Sequence, residues 1–189
     1  MSLLDSTFET LRQQLQSPES LNPAKSDPVF YFVHAPDESL SVKQKLPIWS
    51  AKLRQDNWEV HVNSLAKLAW DTIDKSHRWN DWLSAEPACD PGEINEAIRD
   101  VLRGDAGLIG AVAELVAAPG SNQILFLTDA GLVHPYFRIR TLESGLHDRV
   151  KIPTVIFYPG RRSGQYGLHF LGFYPVDGNY RSTLIGGTV

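Results

Sequence analysis

Four short runs constrain what this chain can fold into: VFYFVH (Val29–His34), WEVHVN (Trp58–Asn63), QILFLT (Gln123–Thr128) and PTVIFY (Pro153–Tyr158). Their β-branched and aromatic side chains favour extended backbone, because such groups fit a pleated, half-buried surface. VFYFVH lies between Pro28 and Pro36 and reads as a strand buried on both faces. A sheet of such strands needs a helical layer on each side, and the segments between the runs carry helical periodicity. The expected fold is an α/β three-layer α/β/α domain. Its sheet is mostly parallel and Rossmann-like, with about five strands, and additional helices complete a single unit over residues 1–189.

Leu4, Phe8, Leu11 and Leu15 recur at helical spacing, so residues 3–16 read as an amphipathic N-terminal helix. Ser17-Pro18 ends it, and residues 17–28 form a proline-containing connector. Leu40, Leu46, Trp49 and Leu53 mark the next helix, where Pro47 predicts a late start or a kink. Leu65, Leu68, Ala69 and Ile73 mark a crossover helix after the second strand. Trp79 and Trp82 flank a polar stretch without a clear pattern. The following DPGE is a helix start, with Asp90 as cap, Pro91 at the first position and Glu93 placed for a capping box. Gly104 stops that helix, Asp105 can cap another, and Pro119–Ser121 terminates it. Pro135 opens a helix carrying Phe137, Ile139, Leu142 and Leu146, and GLHFLGF (Gly167–Phe173) reads as a fifth, shorter strand.

The formal charge of -4 and the pI near 5.8 favour neither nucleic acid nor an anionic membrane. Cys89 is the only cysteine, which excludes an internal disulfide and a cysteine metal cage. No apolar run approaches the ~18 residues of a membrane span. The start, SLLDSTFETLRQQLQ, lacks the basic and apolar regions of a signal peptide. A cytoplasmic protein with no cofactor is the expectation.

Ligands of open α/β sheets bind beyond the carboxyl ends of the strands. Those ends are HAPDE (34–38), Asn63-Ser64, TDAG (128–131) and YPGRR (158–162). The densest polar cluster is TDAGLVHPYFRIR, where Asp129 with His34 or His134 could pair as base and orienting carboxylate. A hydrolase using Asp129 and His134 is therefore an alternative, although no nucleophile stands at a recognised spacing. The plainer reading gives Asp129 an Asx-turn, Gly131 a special backbone angle and His134 a packing role. Arg138 near a helix start opposes the helix dipole and calls for an acidic partner: Asp129, Glu143 or a group from outside.

The six histidines are scattered without ligand spacing, so no metal site is expected. YPGRRSGQYG (Tyr158–Gly167) also fails as a phosphate loop, because its glycines are spaced wrongly, it has no lysine, and strand-like residues follow. It reads as a turn that presents Arg161 and Arg162 at a rim. Those two with Arg181 motivate a weak nucleic-acid-binding alternative. No catalytic constellation emerges.

FLTDAGLVHPYFRIRTLESGL, IPTVIFYPG, LHFLGF and the closing NYRS, taken in order, resemble the BrxB family, a small component of BREX bacteriophage-exclusion systems. Family members tend to carry two tyrosines before the last arginine, whereas Asn179 stands first here, followed by Tyr180 and Arg181. The resemblance implies a bacterial antiviral-defence protein that acts beside a phosphatase-like PglZ, a large ATPase and a DNA methyltransferase. It implies a non-enzymatic accessory subunit, needed for phage restriction or host DNA methylation, that contacts PglZ or the ATPase. Tyr136, Arg138, Arg161, Arg162, Tyr180 and Arg181 are the candidate partner-binding residues, being of the types that dominate interface hot spots.

Overall fold

In the computed structural model, which describes residues 2–22, 26–117, 122–178, 180 and 182–187, helices and strands alternate. The first half comprises α1 (Leu3–Gln16), β1 (Val29–His34), α2 (Ser39–Gln55), β2 (Glu59–Ser64), α3 (Leu65–Lys75), α4 (Trp79–Ala85), α5 (Pro91–Arg103) and α6 (Leu108–Ala117). The second comprises β3 (Gln123–Thr128), α7 (Ile139–Leu146), β4 (Thr154–Ser163), β5 (Gly167–Phe170), β6 (Val176–Asp177) and β7 (Thr183–Gly186). Residues 36–38 and 130–133 form single 3-10 turns.

The sheet runs β2-β3-β4-β1-β7, and every neighbouring pair on that path is parallel. All six residues of β1 are buried, as a strand covered on both faces requires. Alternate residues feed two cores. Phe30, Phe32, Phe126 and Phe157 face α1 and α2, where Trp49 stacks on Phe8 at 5.0 Å between ring centroids. Tyr31, Leu125, Leu127, Ile156 and Tyr158 face α3, α5, α6 and α7. Burying each large apolar side chain contributes about 1.5–3 kcal/mol, so a mostly parallel three-layer sandwich follows from the pattern of the strands.

Several local expectations change. The helix after β1 starts at Ser39 and runs unbroken through Pro47, which is exposed, so the missing amide bond falls on the solvent side. The Trp79–Trp82 stretch is helical, with Trp82 as its buried anchor. Helix α6 begins at Leu108, past Asp105. The helix expected from Pro135 begins at Ile139 instead, because Ala130–Val133 already turn the chain and Arg138 is extended. The expected fifth strand stops at Phe170 and lies outside the parallel sheet. It pairs antiparallel with the far end of β4, with Gly160 opposite Phe170 and Ser163 opposite Gly167. The true fifth parallel strand is β7, beside β1. Pro119–Ser121 and part of the 17–28 connector lie outside the described residues. No helix among the described residues is long and apolar enough to cross a membrane.

Strand β4 belongs to both ladders, so YPGRR continues a strand and does not end one. A Cβ on Gly160 would meet the His169 carbonyl at 2.3 Å, which is why the crossing of the two ladders takes a glycine.

Candidate functional site

Helix α2 leaves β1 on one face of the sheet, and the chain after β3 leaves on the other to form α7. The two layers diverge over the carboxyl end of β4, where such folds open a ligand crevice. A cavity of about 380 Å³ lies there, lined by His34, Lys43, Thr128, Asp129 and the apolar Leu46 and Phe157. Asp129 takes the left-handed conformation (φ 60), so the special backbone angle expected of Gly131 falls two residues earlier. The turn aims its carboxylate at Lys43 Nζ, 2.8 Å away. Burial raises the Asp129 pKa, but hydrogen bonds from Lys43, Ser64 and Thr128 outweigh it and keep the group ionised. His34 donates from Nδ1 to the Ala35 carbonyl at 2.8 Å, and burial lowers its pKa, so the ring is neutral. The nearby hydroxyls are already engaged: that of Thr128 lies 3.3 Å from Asp129 Oδ2 and 3.4 Å from the Asn63 carbonyl, and that of Ser39 donates to the Pro36 carbonyl at 2.7 Å.

His134 lies in a different cavity, of about 210 Å³, with Arg138, Arg140, Tyr158, Asp177 and Tyr180. Its Nε2 shares a hydrogen bond with the Tyr174 hydroxyl, and Phe170 packs at 5.6 Å from its ring. Burial, then the charges of Arg138 and Arg99, lower its pKa. Asp129 and His134 thus stand apart, each with its own partners. Arg138 is the N-cap of α7 and Arg140 lies in its first turn. Neither acid expected for Arg138 reaches it: Asp129 pairs with Lys43, and Glu143 accepts from Ser182. Arg140 has Asp177 at 3.9 Å, donates to the Gly178 carbonyl and lies over the Tyr180 ring at 5.3 Å.

The other expected partner-binding residues divide by exposure. Arg161 is exposed and lines a third cavity with His34 and Gly187. Arg162 is half-buried and turns its guanidinium to the carbonyls of Leu184 and Gln165, both at 3.5 Å. Tyr136 is half-buried and donates to Asn95 Oδ1 at 3.1 Å. Tyr180 is a correction. It is 2% exposed and packs edge-on against Tyr31 and Tyr158, because Tyr31 and Tyr158 project from adjacent strands beneath it. Arg181 and Asn179 lie outside the described residues.

Sequence reasoning missed two features. Lys43 sits on the first turns of α2 facing Asp129, a pairing that needs the fold. Leu171–Phe173, the end of the expected fifth strand, instead form with Tyr174 a loop that crosses the carboxyl end, with Leu171 at φ 53 and Gly172 at φ 78. Gly172 was its available signal, a glycine within an apolar run: the carbonyl of His169, three residues earlier, accepts the Gly172 amide at 3.3 Å and closes the turn. The loop leaves Phe173 72% exposed, and Leu132, on the rim of the larger cavity, is 67% exposed.

A family model described as BREX protein BrxB matches residues 61–185, from β2 to β7. Comparison with curated proteins and with solved structures yields no match.

Proposed function

The chain belongs to the BrxB family and is a BREX-system component, and on that premise we propose that it is a non-catalytic accessory subunit. It joins other BREX proteins through the carboxyl-end rim of its sheet and supports phage restriction or host DNA methylation in this way. The observation that carries the reading is the outward display of Phe173 on a loop whose backbone holds two consecutive left-handed residues, Leu171 and Gly172. A non-glycine residue in that conformation is unfavourable, and here the loop that contains it presents an aromatic side chain to solvent. The same loop passes the exposed Arg161 at Gly172, where a Cβ would lie 3.9 Å from Arg161 Nε. Aromatic and arginine side chains of this kind anchor protein interfaces. The partner is the phosphatase-like PglZ or the large ATPase of the same system.

Nucleic-acid binding through Arg161, Arg162 and Arg181 has less support, because Arg162 is spent on main-chain carbonyls. Hydrolysis by Asp129 and His134 has less still, because the two side chains line separate cavities. Phe173→Asp and Arg161→Glu lie outside both cores, so each is expected to reduce retention of the partner in co-purification while thermal stability stays unchanged. Wild-type retention by both variants removes this rim from the interface. A gel shift at low salt separates the rival reading, which requires retention that falls steeply with added salt.

A further inference from the structure

The parallel sheet ends at β2 on one side and β7 on the other, and only one of these edges is blunted. An open edge offers unpaired amides and carbonyls to any second chain. Proteins guard such edges with very short strands, lysine, proline or a bulge. Strand β7 has four residues, and Gly186 and Gly187 leave extended backbone at φ 77 and 65. Strand β2, EVHVNS, has six residues and neither lysine nor proline. Its register is unbroken, from Glu59 opposite Gln123 to Ser64 opposite Thr128.

The ladder leaves particular groups unused. The Glu59 amide donates to the Asn122 carbonyl at 2.7 Å, so Glu59, His61 and Asn63 turn their backbone groups toward β3. The alternation continues across β3, where the Leu125 amide points away from β2, to the Pro153 carbonyl at 2.9 Å. Val60 and Val62 therefore aim their amides and carbonyls outward, where they meet no partner among the described residues. Neither face of the strand blocks access. Val62 is 46% exposed on one face, and Glu59 and His61 are exposed on the other.

We infer that β2 pairs with β2 of a second copy of this chain, antiparallel about a two-fold axis at His61, so that two sheets become one. The strand is its own complement in this register. Val60 of each copy lies opposite Val62 of the other. These are the residues with free backbone groups, and each such pair exchanges two hydrogen bonds. The paired valines also cover the exposed Val62 side chain, and cross-strand pairs of this kind stabilise a sheet. Glu59, the one carboxylate of the strand, falls opposite Asn63, whose side-chain amide can donate to it. No like charges meet across the axis. A two-fold contact asks for this self-match and nothing more, and it is the commonest closed assembly. Strand β3 separates β2 from β4, and the pairing uses neither Phe173 nor Arg161, so it stands or falls apart from the interface proposed above.

The test is sedimentation of the whole chain over a range of concentrations, where twice the chain mass of 21.1 kDa is expected. Val62→Pro removes an outward amide without touching the β3 ladder, a position at which edge strands accept proline. Val62→Lys leaves the backbone intact and adds a charge at the axis. Both variants are expected to sediment as folded monomers. Cysteines in a Cys89→Ser background read the register. His61→Cys brings two Cα atoms within about 4.5 Å across the axis, inside disulfide reach, so mild oxidation links the copies. Glu59→Cys leaves them about 14 Å apart and unlinked. The inference is overturned by a wild-type monomer at every concentration, by a dimer that survives both Val62 substitutions, or by a His61→Cys variant that does not link. Val60 and Val62 amides protected from exchange only when another BREX protein is bound would assign the edge to that protein and overturn it too.

Discussion

The Glu143 carboxylate fastens α7 to the last strand by accepting the Ser182 hydroxyl at 2.5 Å and the Ser182 amide at 3.1 Å. Its other oxygen lies 3.5 Å from the hydroxyl of the buried Tyr31 on β1. Strand β7 has four residues and, among the described residues, pairs with β1 alone, so its register depends on what holds the residue just before it. Glu143 makes that tie from the opposite layer.

Glu143→Ala should therefore destabilise the chain by about 2 kcal/mol, since two hydrogen bonds to a charged acceptor are lost at a half-buried position. In a protein of this size that lowers Tm by about 4–8 °C. Glu143→Gln retains an oxygen for the Ser182 amide and should lose about half as much. Thermal unfolding of both variants checks this, and a wild-type Tm in Glu143→Ala would remove the fastening.

Stability should fall in two stages as the pH drops. His34 and His134 have pKa values lowered below 6.5, mainly by burial. The unfolded chain takes up their protons first, so stability present above that value is lost as the pH falls through it. Asp5, Glu9 and Asp56 form the second stage. Lys45, Lys52 and Arg12, respectively, hold them below the ordinary 3.8–4.5, so their contribution is complete above that range and is lost below it. These pairs clip α1 to the α2 end, with Lys45–Asp5 at 2.8 Å and Lys52–Glu9 at 2.7 Å. The double variant Lys45→Met, Lys52→Met should flatten the second stage in a Tm-against-pH profile and leave the first. An unchanged second stage contradicts the assignment.

Two glycines of YPGRRSG should respond differently to alanine. At Gly160 the added Cβ meets backbone at 2.3 Å and the Tyr158 ring at 2.7 Å, and overpacking of that kind costs about 1–3 kcal/mol. At Gly164 nothing lies within 4 Å and only the positive φ of 64 opposes the change, a strain of about 1 kcal/mol. Urea midpoints should place Gly160→Ala clearly below Gly164→Ala, and the reverse order would refute the account of the ladder crossing.

Much of this architecture was legible in the residues. The apolar runs located β1, β3 and the first half of β4, and the heptad-like spacing of Leu4, Phe8, Leu11 and Leu15 located α1, because burial on one face leaves a period in the sequence. Strand β7 was not legible: TLIG is four residues long, at the sheet edge, and has only Ile185 buried. The site was legible by place more than by residue. The strand ends do meet around a crevice, as parallel topology requires, yet Asp129 finds Lys43 and His134 finds Tyr174. Partners brought together by crossover connections leave no spacing to read. Tyr180 looked like an interface residue by type, and its burial comes from Tyr31 and Tyr158 on neighbouring strands.

The most direct test of the central claim is purification of the tagged wild-type chain from cells carrying the whole BREX system, followed by identification of what elutes with it in fixed ratio. The account predicts that PglZ or the large ATPase co-elutes and that Phe173→Asp, with an unchanged Tm, releases it. Elution of the wild-type chain alone, with the rest of the system expressed and soluble, would contradict the claim.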